Sequence, residues 1–352
     1  MNLLIFNLRV DRHDTALGFT TDWINALAKH FDHVTVITMY RGTVAVAANV
    51  EVLSAGLEHG WSKPRRVLAF YRCLFEALRR RRYDCCFAHM MPLFLLLAGP
   101  FLKLRGIPAI LWYAHNHRPA ILAPALAFAD RALASTRTAF PMDTPKLRVI
   151  GQGIDTERFR PNEERERDGD GVLRVMTVGR ISPIKNIDLM IRAFAELRRA
   201  LPTVTSEFAI VGECLTAKDE AYRQTCVDLA SRLGIATSVD WRPPVSFDRV
   251  HRTYGEGDIF LSANDNGLDK AILEAMASGL TVVAMHPAVA EPLGRYFARD
   301  EDGFAQALIA LARLDADARA ALAAELREYV RREHGLERLG ARIAAELKEL
   351  AA

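Results

Sequence analysis

The chain has 352 residues, of which 50% are apolar and 25% charged. That is enough length for two domains and a large core, and it excludes a disordered tract, a collagen-like repeat or a membrane-embedded bundle. The formal net charge of +3 hides an asymmetry: residues 1–160 hold 21 Lys and Arg against 12 Asp and Glu, and residues 161–352 hold 25 against 31. The +9 of the first part favours an anionic acceptor or partner surface over a neutral one.

In chain order, apolar runs predict strands at Leu3–Leu8, Val34–Thr38, Asp84–His89, Ala109–Tyr113 and Ala132–Ser135. Helical periodicity lies between them, near Thr20–His30 and Val67–Arg80. Met1–Leu8 reads as a strand without a basic leader, so no signal peptide is expected. The longest apolar run, Met90–Leu102, is interrupted by Pro92 and Pro100 and is too short to span a bilayer. Cys73, Cys85, Cys86, Cys214 and Cys226 are odd in number and lack metal-site spacing, which reads as buried thiols in a reducing compartment. The expected location is the cytoplasm, with peripheral attachment to the inner face of a membrane left open.

Attachment is suggested by residues 61–83. Val67, Phe70, Tyr71, Leu74 and Leu78 form an apolar stripe, and eight Lys and Arg against Glu76 give +7. Such a helix either lies on an anionic membrane surface or turns the stripe to the core and leaves a solvated basic face.

Residues 161–171 are charged, glycine-bearing and without apolar period, and read as a linker between residues 1–160 and 172–335. Leu336–Leu350 is a final amphipathic helix within a terminal segment 336–352. Strands alternating with helices on both sides of the linker predict an α/β chain of two doubly wound parallel sheets.

The chemistry concentrates after the linker. Val172–Val178 reads as a strand, followed by Gly179-Arg180-Ile181-Ser182-Pro183-Ile184-Lys185-Asn186 and a helix. Open parallel sheets bind ligands at the carboxyl ends of their strands, so Arg180 and Lys185 stand where a diphosphate would be held. Asn186 is a candidate helix cap. Farther on, Leu261–Gly279 repeats the strand, loop and helix order. Gly267 allows close backbone approach to a ligand, and Glu274, one turn into the helix, can accept hydrogen bonds from the vicinal hydroxyls of a ribose.

Val178-Gly179-Arg180, Lys185-Asn186, and Gly267 with Leu273-Glu274-Ala275-Met276-Ala277-Ser278-Gly279 resemble the donor-site motifs of family 4 retaining glycosyltransferases (glycosyl transferases group 1). Val149–Pro161, Cys86–His89 and Leu111–His115 are similar to further segments of that family. The resemblance implies the GT-B fold, with two Rossmann-like doubly wound parallel-sheet domains facing across a cleft and the terminal helix returning to the first domain. It implies transfer of a sugar from a nucleotide-diphosphate sugar to a saccharide or lipid-linked acceptor, in envelope or exopolysaccharide biosynthesis by default. Arg180 and Lys185 would stabilise the leaving diphosphate, His115 would support from the first domain, and Gly18 and Gly212 would approach the nucleotide. Asn266, Gly267, Leu268, Asp269, Lys270 and Ala271 would meet the phosphate and sugar, and Glu274 the ribose. No metal, cofactor or nucleic-acid partner is expected; Asp168-Gly169-Asp170 and Asp315-Ala316-Asp317 read as solvated surface.

The family pattern has two Glu separated by seven residues, and here the first position is Asn266. An amide supplies no negative charge near the reacting carbon, and Asp269 is a candidate substitute. Asn266 also keeps open a non-catalytic scaffold related to these enzymes. A nucleotide-sugar epimerase on the same fold is a third reading.

Overall fold

The computed structural model describes every residue except 15–16, 116, 163–170 and 265–267. The chain forms two compact units: Met1–Gly153 with Leu336–Ala352, and Ile154–Gly335. The passage from one to the other falls at Gly153–Ile154, ahead of the polar stretch in which the linker is expected.

The first unit carries β1 (Asn2–Val10), β2 (His33–Arg41), β3 (Val50–Ser54), β4 (Cys85–His89), β5 (Ala109–Trp112), β6 (Arg131–Ala134) and β7 (Leu147–Val149). All pair in parallel in the order β3-β2-β1-β4-β5-β6-β7. Both faces are covered, which is why Leu3-Leu4-Ile5-Phe6 and Ile110-Leu111-Trp112 are continuous apolar runs rather than alternating ones. β3 and β7 escape the sequence pattern because each is a short, half-exposed edge strand with no buried run.

The second unit carries β8 (Val172–Val178), β9 (Thr205–Val211), β10 (Val239–Arg242), β11 (Ile259–Ser262) and β12 (Thr281–Ala284). Its parallel sheet has the order β10-β9-β8-β11-β12. Strand order therefore reverses between β8 and β11, and the crevice beyond their carboxyl ends is the topological switch point of this sheet. In the first unit the reversal lies between β1 and β4.

The terminal helix Leu336–Ala351 belongs to the first unit, where it packs on the helix Phe19–Ala28 and on β4. Leu336, Leu339, Ile343 and Leu347 recur at helical spacing and are buried there. Gly340 lets the two helices approach closely, since a Cβ at that position would stand 3.1 Å from Ala26 Cβ. Lys29 with Glu337, and Arg131 with Glu346 and Glu349, add ion pairs along the seam.

The cysteines are all free; Cys85, Cys86 and Cys226 are buried, whereas Cys73 and Cys214 are only half-buried. Burial pushes the Cys85 thiol up to about 12, so it stays a thiol near neutrality. Among the described residues no helix is long and apolar enough to cross a membrane.

Candidate functional site at the switch point of the second unit

β8 ends at Val178 and runs into Gly179, whose φ of 147° suits a residue without a Cβ. Gly179 N–H donates to Val211 O at 3.0 Å and Ile181 N–H to Glu213 O at 2.9 Å, so ladder pairing continues past both strands. The loops are in such close contact that a Cβ on Gly212 would stand 1.8 Å from the Gly179 carbonyl oxygen. Gly212 thus serves the approach of one loop to the other. Its N–H donates to Arg242 O at 3.1 Å.

Arg180 is exposed, and its Nε donates to Ser182 Oγ at 3.2 Å. Pro183–Lys185 forms one 3₁₀ turn, and Asn186 then takes a left-handed conformation (φ 50°, ψ 48°). Asn tolerates that region better than other non-glycine residues. Its side chain does not cap the helix Ile187–Ala200, contrary to the sequence reading; Nδ2 donates instead to Ala263 O at 2.9 Å, just past the end of β11. Lys185 Nζ forms an ion pair with Asp269. Two segments some eighty residues apart are thereby joined twice, by Asn186 to Ala263 and by Lys185 to Asp269. Val178, Gly179, Arg180, Lys185, Ser262 and Asp269 line the crevice they leave.

The helix Lys270–Ala277 is buried along almost its whole length, from Ala271 to Ala277. Leu268, just ahead of the helix, is buried too. Lys270 Nζ lies 5.9 Å from the Phe247 ring. Glu274 is the one carboxylate in this apolar helix and is only 7% exposed. Its Oε2 accepts a hydrogen bond from the buried Tyr254 hydroxyl at 3.1 Å. Burial holds the Glu274 carboxyl above its ordinary range, opposed by Lys270 and by the Tyr254 hydroxyl. A buried carboxylate with a raised pKa in an otherwise apolar helix makes Glu274 a functional-site candidate. Asp265, Asn266 and Gly267 lie outside the described residues.

Gly18 and His115 belong to the first unit. Gly18 precedes the helix Phe19–Ala28 at φ −55°, a conformation open to any residue, and its N–H donates to Asp14 O at 3.2 Å. His115 is exposed, and its Nδ1 accepts from the His117 N–H at 2.9 Å, so it caps the turn that follows β5. His89, at the end of β4, is buried, with Nδ1 3.1 Å from Asn7 Oδ1 and its ring against Trp23. Met90 follows at φ 54°, an uncommon region for a long side chain, beside the switch point of the first sheet.

Of the two Asp-x-Asp pairs, Asp168 and Asp170 lie outside the described residues. Asp315 caps the helix Ala316–His334 by accepting from Ala318 N–H at 2.8 Å. Among the described residues, no three His, Cys, Asp or Glu side chains converge as a metal site.

Sequence reasoning missed Tyr254 and the pairing role of Asp269. Tyr254 sits twenty residues from Glu274 with no motif around it, and only the packing of its short helix, Val250–Tyr254, against Lys270–Ala277 joins them. For Asn186 a signal was present, since Asn is the residue type enriched at positive φ.

A five-stranded parallel sheet with a basic and an acidic loop meeting at its switch point is the architecture of a Rossmann-like domain. Residues 173–313 match the family model described as Glycosyl transferases group 1. A "D-inositol 3-phosphate glycosyltransferase" of Salinispora arenicola is 29% identical over 181 residues, 45% of this chain and 40% of its own length. One of the same name from Acidothermus cellulolyticus is 31% identical over 179 residues, 46% of this chain and 39% of its own length. The chain therefore spans about two fifths of the length of these curated relatives.

Among solved structures, Anabaena Alr3699/HepE in complex with UDP has a TM-score of 0.75 at 17% identity, covering 99% of this chain and 100% of that one. A trehalose-6-phosphate protein of E. coli bound with UDP-2-fluoro glucose has a TM-score of 0.75 at 12% identity, covering 99% of both. The fold is thus that of the GT-B glycosyltransferases, and residues 173–313 resemble the group 1 type.

Proposed function

We propose that the chain transfers a sugar from a nucleotide-diphosphate sugar to a hydroxyl acceptor, with retention of configuration and without a metal. The observation that carries this reading is the double connection of the Arg180–Asn186 and Ala263–Asp269 segments at the switch point of the second sheet. Arg180 offers an exposed guanidinium fork to a diphosphate, and Lys185 a point charge that exchanges Asp269 for phosphate oxygens. Both would stabilise the charge that grows on the leaving oxygen by fixed electrostatics. Glu274 takes the ribose hydroxyls, and His115 a supporting place toward the sugar or acceptor.

UDP in the structural neighbours supports a uridine nucleotide as the first donor to try. The curated relatives are named for D-inositol 3-phosphate, and a phosphorylated polyol fits the +9 charge of residues 1–160. It stands ahead of an envelope saccharide or a lipid-linked sugar as the acceptor to test.

The test is a thermal-shift panel of UDP, GDP, ADP and their sugar conjugates, with and without magnesium, followed by transfer assays. A ligand at a hundredfold excess over its Kd stabilises the fold by about 2.7 kcal/mol. The expected result is a magnesium-independent shift for one base that Arg180→Ala abolishes while leaving the unliganded melting temperature unchanged. Equal affinity in Arg180→Ala would remove the site assignment. Nucleotide binding without transfer to any acceptor would favour a scaffold over an enzyme.

A further inference from the structure

The stripe Phe70, Leu74 and Leu78 of the basic helix Lys63–Arg80 is buried in the core of the first unit. These side chains are therefore not available to any partner. A different set is. Leu68 is 72% exposed and Phe75 45% exposed, two turns apart on one side of this helix. Phe75 stacks on Tyr71, with ring centroids 5.9 Å apart, and meets Phe101 edge-on at 4.9 Å. Phe101 belongs to the next helix, Pro92–Leu104, whose last residue, Leu104, is 86% exposed one turn farther on. Two helices of the same unit thus combine into one exposed apolar ridge.

Arg65, Arg72 and Arg79 recur every seven residues immediately beside Leu68 and Phe75. Arg65 lies over the Trp61 ring at 4.2 Å, and among the described residues none of the three forms an ion pair with a carboxylate. The neighbouring Arg80 differs, being held by Glu51 and Glu76. Exposed Leu and Phe flanked by a row of cations carrying no carboxylate is the pattern that seats in a membrane interface, apolar groups among acyl chains and guanidinium groups among headgroup phosphates.

We propose that this ridge, Leu68, Phe75 and Leu104 with Arg65, Arg72 and Arg79, docks the first unit on an anionic lipid surface. Charge complementarity selects the occupant: a protein partner or a second copy would have to bring its own acidic row.

The experiment is co-sedimentation of the full chain, without nucleotide, on vesicles of phosphatidylcholine alone and of phosphatidylcholine mixed with phosphatidylglycerol. Binding is expected on the mixed vesicles only, weakening as salt rises. Arg72→Gln/Arg79→Gln should lower the partition coefficient by about 30-fold, from about 1 kcal/mol per cation near an anionic surface. Leu68→Ser/Phe75→Ser should also lower it. Leu68→Ser alone, at a residue 72% exposed, should lower it while keeping the parent melting temperature, which Phe75→Ser reduces through its lost contacts to Tyr71 and Phe101. No binding to the mixed vesicles, equal binding to neutral ones, or binding unmoved in both variants would overturn the proposal. So would a concentration-dependent dimer that Leu68→Ser/Phe75→Ser dissolves in a protein that ignores vesicles. None of these readouts uses the nucleotide, so this proposal and the donor site fail separately.

Discussion

Glu274 concentrates the tension between stability and ligand binding in one side chain. Its carboxyl is held above the ordinary range chiefly by burial, so the native state keeps a proton that the unfolded chain has released. Stability then falls as pH rises from the ordinary carboxylate range, near about 4, through the raised value. Glu274→Gln cannot ionise and keeps an acceptor for the Tyr254 hydroxyl. Its melting temperature should therefore gain on the parent's as pH rises from about 4 to neutrality. Differential scanning fluorimetry across that range reads the sign, and a constant difference would mean that the carboxyl titrates normally. The same variant should bind the nucleotide less tightly, because an amide accepts fewer hydrogen bonds from ribose hydroxyls than a carboxylate.

At the scale of elements, the segment leading into the second unit is held by Arg327, from the helix Ala316–His334. Its Nη1 donates to Phe159 O at 3.0 Å and to Ala277 O, and its Nη2 donates to Thr156 O at 3.2 Å. One guanidinium thus ties the segment around Thr156–Phe159 to the last residue of the helix that carries Glu274. Half-burial lowers its pKa, yet a guanidinium stays charged at any working pH. Arg327→Met keeps much of the apolar stem and leaves three carbonyls without their donor. It should cost about 2–3 kcal/mol, judged by hydrogen bonds to charged groups, and be seen as a lower denaturant midpoint. A midpoint within error of the parent would show that water replaces the guanidinium without loss.

For the whole molecule, the two ends of the chain share one core. Removing residues 336–352 uncovers the partners of Leu336, Leu339, Ile343 and Leu347 on the first unit. At about 1.5–3 kcal/mol for each buried side chain, the loss is comparable to the full stability of a domain, roughly 5–15 kcal/mol. A chain ending at Gly335 should lose the folded first unit, read as protease sensitivity confined to residues 1–153, while residues 154–335 stay protected. Uniform protection would mean that the terminal helix is an accessory.

Most of the sheet-and-helix series was legible because parallel strands buried on both faces need continuous apolar runs, as in Val172–Val178 and Leu3–Leu8, and amphipathic helices need their period. The same local chemistry placed Arg180, Lys185 and Glu274 in loops and helix starts after strands, the region where open parallel sheets in general bind ligands. Three things needed the folded chain. Strand order put β8 beside β11 and made their loops neighbours, which no local pattern encodes because pairing is between distant segments. Packing gave Glu274 its Tyr254 and Lys185 its Asp269, contacts between residues 20 and 84 positions apart. It also turned Phe70, Leu74 and Leu78 inward and left Leu68 and Phe75 in water, because a helix with apolar residues on more than one side can bury only the side its sheet accepts.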